Sequence, residues 1–234
     1  MFHFIEKQIL WEALDANWIQ ELESHKISYQ LKIAQDLAVY RELRDLSDKS
    51  IAEVGGGDSR ILPALSKKNA CFNIDRCEGR GHGPTSRPEI AGVTTIDSYL
   101  GEGSSNIESN RFDILFSISV VEHIDDNDLD AFLSESIRVL KPGGKFYHAI
   151  DFYLHDAPTP ENQHRIDRYF RFLTETPGIQ SLSEVNPISP AFKTRYVSNP
   201  DNILHGWNLY APQLSELRQV SQSVSLFIAG EKIP

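Results

Sequence analysis

The residues best placed for chemistry are a carboxylate, a run of glycines and a second carboxylate: Glu53, Gly55-Gly56-Gly57 and Asp75. Consecutive glycines let a backbone turn tightly and approach a ligand with no side chain in the way. Asp75 lies 22 residues beyond Glu53 and can accept hydrogen bonds from both hydroxyls of a ribose. Glu53 sets another carboxylate under the same loop. The dinucleotide fingerprint G-x-G-x-x-G fails because Arg60 occupies its third position, and no G-x-x-x-x-G-K-[ST] phosphate loop occurs. The pattern therefore points to a nucleoside ligand without a phosphate chain. Three later residues are candidate proton acceptors: His123, Asp151 and His155. Histidine ionises in the range such work needs. His148 falls inside a strand pattern and reads as a satisfied core residue.

These residues need elements to hold them. Ser50–Val54, Ala70–Asp75, Ala91–Ile96, Phe112–Ser119 and Lys145–Phe152 read as strands. Helical patterns alternate with them: one through Ile61, Leu62 and Leu65, capped by Asp58 or Ser59, and one from Leu129 to Leu140. Pro63 lies near the start of the first, where a missing N–H costs least. Lys141-Pro142-Gly143-Gly144 is expected to stop the second. Such alternation predicts a mostly parallel sheet covered on both faces. Ligands of such sheets bind beyond the carboxyl ends of the strands, where Glu53, the glycines and Asp75 all fall.

Upstream, Trp11, Leu14, Trp18 and Leu22 repeat at helical spacing within residues 4–22, and Ile27, Leu31, Ala34 and Ala38 suggest a second helix. Residues 1–48 thus read as a helical extension that packs on the domain or covers a ligand cleft as a lid. Downstream, helices are expected over 164–173 and 214–220, and a last strand over 223–229. Residues 155–163 and 176–203, rich in Pro, Asn, Ser and Asp, read as loops.

Composition narrows the partners. The formal net charge of −10 argues against nucleic acid, whose binding rests on phosphate neutralisation. No stretch approaches the roughly 20 apolar residues of a membrane helix, and the N-terminus does not read as a signal peptide. Two cysteines, Cys71 and Cys77, suit reduced thiols in a cytoplasm; their spacing suggests no metal site.

Ile51-Ala52-Glu53-Val54-Gly55-Gly56-Gly57-Asp58-Ser59 resembles motif I of the class I S-adenosylmethionine-dependent methyltransferases. Asp75 matches their second acidic motif. Phe112 to Glu122-His123 is similar to their fourth-strand motif, and Arg138-Val139-Leu140-Lys141-Pro142-Gly143-Gly144 to their turn before strand five. The likeness spans roughly residues 50–152. Ser59 stands where the family often has a third glycine, and Gly56 replaces a commoner Cys, Ser or Thr. The resemblance implies a Rossmann-like, doubly wound, mostly parallel seven-stranded α/β sheet over residues 49–234. It further implies a variable substrate-pocket region over about 153–210. By the same resemblance, Glu53, Gly55, Gly56 and Gly57 contact S-adenosylmethionine, and Asp75 holds its ribose. Arg76 flanks the adenine, Asp97 accepts from the adenine amino group, and Ser117, Ile118 and Ser119 face the sulfonium. An equally weighted alternative makes Asp97 a helix cap.

Methyl transfer needs a base only when the acceptor proton has a high pKa. His123 and His155 are the catalytic candidates on that account. Enzymes of this type acting on planar amide or adenine nitrogens carry [DN]-P-P-[YF] after strand four, whereas this chain has Ser117-Ile118-Ser119-Val120. The expected acceptor is therefore a hydroxyl or carboxylate oxygen of a small molecule or sugar. Two rivals stand beside this reading: aminopropyl transfer from a related nucleoside, and a non-catalytic binding or scaffold protein. A homodimer is left open.

Overall fold

The computed structural model describes residues 1–6, 8–22, 31–79, 83–101, 106–155, 157–191, 213 and 221–233. Eight strands form one sheet: β1 (Phe2–Phe4), β2 (Ser50–Val54), β3 (Ala70–Ile74), β4 (Val93–Ile96), β5 (Phe112–Ile118), β6 (Leu140–His155), β7 (Ile179–Ser181) and β8 (Ser221–Lys232). Their order is β1-β8-β6-β5-β2-β3-β4, with β7 also on β8. The five strands from β2 to β6 pair in parallel, and β8 runs antiparallel to β6, β1 and β7. Chain order reverses between β2 and β5, since β3 and β4 extend one way and β5 and β6 the other.

Strands buried on both faces explain the near-continuous apolar runs. Ile51, Ile114, Phe116, Tyr147 and Phe227 join a core with α1 (Gln8–Asp15), α2 (Trp18–Glu21), α3 (Leu31–Leu43) and α4 (Leu62–Leu65). Ala52, Leu115, Phe146, Ile150 and Ile228 face the other way, onto α5 (Leu129–Arg138) and α6 (Pro160–Glu175). The result is a three-layer sandwich with the sheet in the middle.

The expected elements from 50 to 152 form, with a local difference at the start of β6. β6 starts at Leu140, because Lys141–Gly144 makes a bulge in the β5–β6 ladder instead of an interruption. Lys141 Nζ holds it by an ion pair to Asp113 Oδ2 at 2.7 Å, the oxygen that also accepts from the Ser50 amide at 2.8 Å. Ser59 caps α4 through its side chain, accepting from Leu62 N–H at 3.1 Å.

The amino-terminal reading needs more correction. Residues 2–4 are a strand, and Asn17, at φ 61°, breaks the helix into α1 and α2. The stripe of Trp11, Leu14, Trp18 and Leu22 therefore runs across two helices. Trp11 is 52% exposed and Leu14 36%, while Ile9, Leu10 and Ala13 face the core. α3 lies on the sheet, with Ile33, Leu37, Ala38 and Val39 buried. Among the described residues the expected sheet also takes in β1, which hides in the helical reading, and β7, from a stretch read as loop. α6 begins at Pro160, inside the other such stretch, where Thr159 caps it by accepting from Asn162 N–H at 3.2 Å. Ile27 and the helix expected over 214–220 lie outside the described residues.

Candidate functional site

A cavity of about 480 Å³ opens where chain order reverses, above the carboxyl ends of β2, β3 and β5. Its floor is the turn after β2. Gly55 and Gly57 have φ of 65° and 50°, a region that costs other residues strain. A Cβ on Gly55 would stand 2.7 Å from Val120 Cγ2. One on Gly56 would stand 2.7 Å from Glu53 Cδ and 2.8 Å from Asn73 Oδ1. The bend is kept bare by its surroundings.

β3 clamps this bend from the side. Asn73 Oδ1 accepts from Gly56 N–H at 3.2 Å, and Asn73 Nδ2 donates to the Gly57 carbonyl at 2.8 Å. Two residues on, Asp75 Oδ2 accepts from Gly57 N–H at 3.0 Å and Oδ1 from Cys77 N–H at 2.7 Å. A carboxylate has about four lone-pair sites, so these two bonds leave capacity for a diol. Both Asp75 and the glycines line the cavity. Carboxylate and bend converge on one space.

Glu53 is buried beneath the loop and accepts from the Ser59 hydroxyl. Burial pushes its carboxyl up to about 7; the Ser59 bond opposes that, and the charge of Asp36 adds to it. Asp36, on α3, forms a two-pronged ion pair with Arg60 at 2.5 and 2.8 Å, tying the segment after the glycines to that helix. Lys32, one turn earlier on α3, lines the cavity. The opposite wall combines Tyr99 and Leu100 after β4 with Ile118, Ser119 and Val120 after β5.

A bare glycine cradle beside a carboxylate with acceptor capacity to spare fits the adenosyl and amino-acid parts of S-adenosylmethionine. A family profile described as a methyltransferase domain matches residues 52–148, from the start of this bend to the middle of β6. Over residues 52–148 the chain is thus similar to methyltransferases. A comparison with curated protein sequences finds no match. Among solved structures, it resembles Haemonchus contortus phosphoethanolamine N-methyltransferase 2 with phosphomonomethylethanolamine and S-adenosylhomocysteine (18% identity, TM-score 0.54). That match covers 86% of this chain and 52% of the other, so this chain spans about half the length of that relative. It also resembles the geranyl diphosphate C-methyltransferase of Streptomyces coelicolor A3(2) with Mg2+, geranyl diphosphate and S-adenosyl-L-homocysteine. There identity is 13% and TM-score 0.53, over 99% of this chain and 90% of the other. Identities this low show a shared fold.

Of the residues expected at the methyltransferase site, Glu53, Gly55, Gly56, Gly57, Asp75, Ile118, Ser119 and His123 line the cavity. Four do not. Arg76 is exposed, its guanidinium 5.0 Å from the centre of the Tyr99 ring, so it backs the wall. Asp97 is half exposed and paired with Arg87, and no helix follows it to be capped. Ser117 points into the core, 2.8 Å from His148 Nδ1. His155 ends β6 opposite Ser221 and bridges to Ala191. His148 is fully buried and its ring pKa is lowered to about 3 by desolvation, which keeps it neutral; its Nε2 has no hydrogen-bond partner among the described residues. Asn73, Asp36 and Lys32 escaped the sequence reading. Asn73 alone carried a signal, as a polar residue inside an apolar strand.

Proposed function

We propose that this methyltransferase transfers the methyl group of S-adenosylmethionine to an oxygen of a small molecule or sugar. The hydrogen bond from Gly57 N–H to Asp75, at the mouth of a cavity that both line, carries the cofactor half of this reading. When bound, the cofactor supplies an electrophilic methyl on a sulfonium. Asp75 would hold the ribose diol, and the amides of the glycine bend would meet the amino-acid end, near Glu53. The side chains and backbone of Ile118 and Ser119 would border the reacting centre. Holding donor and acceptor in line supplies much of the rate in such a displacement.

The relatives above are named for nitrogen and carbon acceptors, so the acceptor atom is read from this chain's own residues. After β5 it carries Ser-Ile-Ser-Val, which lacks the proline-aromatic cradle for planar nitrogens. Residues of about 153–210 would supply the acceptor pocket, and the segment 1–48 would border it through Lys32. Titration calorimetry with S-adenosylmethionine and S-adenosylhomocysteine tests the reading: both bind with unit stoichiometry, and absence of binding by either defeats it.

A further inference from the structure

Asp151 takes no part in the cofactor cradle, yet it is joined to the cavity wall by a single hydrogen bond. It sits on β6 opposite Ser225 of β8 and faces α3. Its Oδ1 accepts from Gln35 Nε2 at 2.5 Å and from Ser119 Oγ at 3.0 Å. Gln35 is fully buried, and its amide also donates to Ser225 Oγ at 2.9 Å while its Oε1 lies 2.9 Å from Ser119 Oγ. The Ser119 hydroxyl thus has one proton and two acceptors in reach, and its own lone pairs remain able to accept. Ser119 also adopts φ 54°, a left-handed conformation that strains a residue other than glycine. Its amide bond to the Ala149 carbonyl at 2.9 Å and the two side-chain contacts hold it there. A strained serine on the wall, wired to a carboxylate behind it, is built for moving a proton.

We propose that Ser119 touches the methyl acceptor and passes the acceptor's proton to Asp151, with Gln35 positioning the carboxylate. This rests on the oxygen-acceptor reading and names its substrate class, a neutral hydroxyl. The acceptor oxygen forms its bond to the methyl carbon as the carbon–sulfur bond of the sulfonium donor breaks, and sulfur keeps that electron pair. The acceptor's proton goes to Ser119 Oγ while the serine's own proton goes to Asp151 Oδ1. An ether, a thioether and a protonated Asp151 result.

The surrounding charges suit the role. Lys32 on α3 and Asp151 act on Glu122 in the 3-10 turn Val121–His123, and Glu122 acts in turn on Tyr169 of α6, to which Arg165 donates. Burial, followed by the charge of Asp151, pushes the Glu122 carboxyl up. Burial and a neighbouring carboxylate both favour the protonated form of Glu122. An acceptor carboxylate would add another negative charge beside Asp151. A hydroxyl would not.

The test uses the full chain, methyl-labelled S-adenosylmethionine and a small-molecule extract of the cells that make the protein. The wild type should place label on an ether oxygen, stable to mild alkali. Ser119→Ala and Asp151→Asn should each slow transfer by about 100-fold or more, the range of general-base catalysis, and Asp151→Asn, outside the cofactor cradle, should bind S-adenosylhomocysteine as the wild type does. The wild-type rate should fall on the acid side along one ionisation, and that limb should vanish in Asp151→Asn. Independently of activity, the 13C carboxyl resonance of Asp151, assigned by its loss in Asp151→Asn, should move in Ser119→Ala. If circular dichroism shows that Asp151→Asn does not fold, Ser119→Ala carries the kinetic test alone and a serine resonance shift on acidification replaces the carboxyl one. Label that leaves as methanol in alkali, label on nitrogen, or variants that keep the wild-type rate and pH profile overturn the proposal. A wild type that binds S-adenosylhomocysteine but labels nothing overturns the oxygen-acceptor reading itself.

Discussion

At the residue scale, Asp75 has two tasks that share one carboxylate. It fixes the glycine bend through Gly57 N–H, and its remaining lone pairs face the cavity. Asp75→Ala should weaken S-adenosylhomocysteine binding by about 1–3 kcal/mol, the usual cost of a lost charge-assisted hydrogen bond. Calorimetry reads this, and an unchanged affinity would take Asp75 out of the site. Glu53 makes a different prediction. Its carboxyl is raised from 4.5 to about 7 in the folded protein, chiefly by burial. The folded state therefore holds this proton more tightly than the unfolded chain does. That contribution to stability is complete below pH about 4.5 and is lost as pH rises through about 7. Urea unfolding of the ligand-free protein should show wild type losing ground to Glu53→Gln between pH 5 and pH 8, by up to about 3 kcal/mol. A constant gap between the two would mean that Glu53 does not titrate in that window.

At the element scale, α3 is the support of the cofactor loop as well as a cover for the sheet. Asp36 has a side chain only 1% exposed, and Arg60 reaches it from just beyond the glycines. Removing one partner of a buried ion pair is costly because the other charge stays behind, typically about 3–5 kcal/mol. Arg60→Met should show a loss of that order in chemical denaturation. The double variant with Asp36→Asn should recover part of it, because no buried charge then lacks its guanidinium. A loss below about 1 kcal/mol in the single variant would show that α3 and the loop are held by packing instead.

At the scale of the whole molecule, the first residues of the chain line the same edge of β8 that β7 occupies further along. Phe2 is 5% exposed and meets Phe170 of α6 edge to face, with ring centres 5.8 Å apart. Phe2→Ala should cost about 3 kcal/mol, as for other buried phenylalanines cut back to alanine. Thermal unfolding would register it as a clear drop in Tm, and an unchanged Tm would mean that the edge strand adds little. A broader groove of about 560 Å³ runs between α5 and α6 past Leu133, Arg168 and Phe172, and it shares no lining residue with the cofactor cavity.

Local pattern alone determined the strands and helices from 50 to 152, because apolar runs ended by glycine or a capping residue leave little choice of element. It also placed Glu53, the glycines and Asp75 at strand ends, where a parallel sheet collects its ligands. Packing decided what pattern cannot encode. Residues 2–4 became a strand only because β8, more than two hundred positions later, offers an unpaired edge. Asp97 turned to Arg87, and the backbone at His155 bridged to Ala191, because such pairings depend on how the folded chain brings segments together. The union of Gln35, Ser119 and Asp151 is of the same kind: residues of α3, of the turn after β5 and of β6 meet only when α3 packs on the sheet.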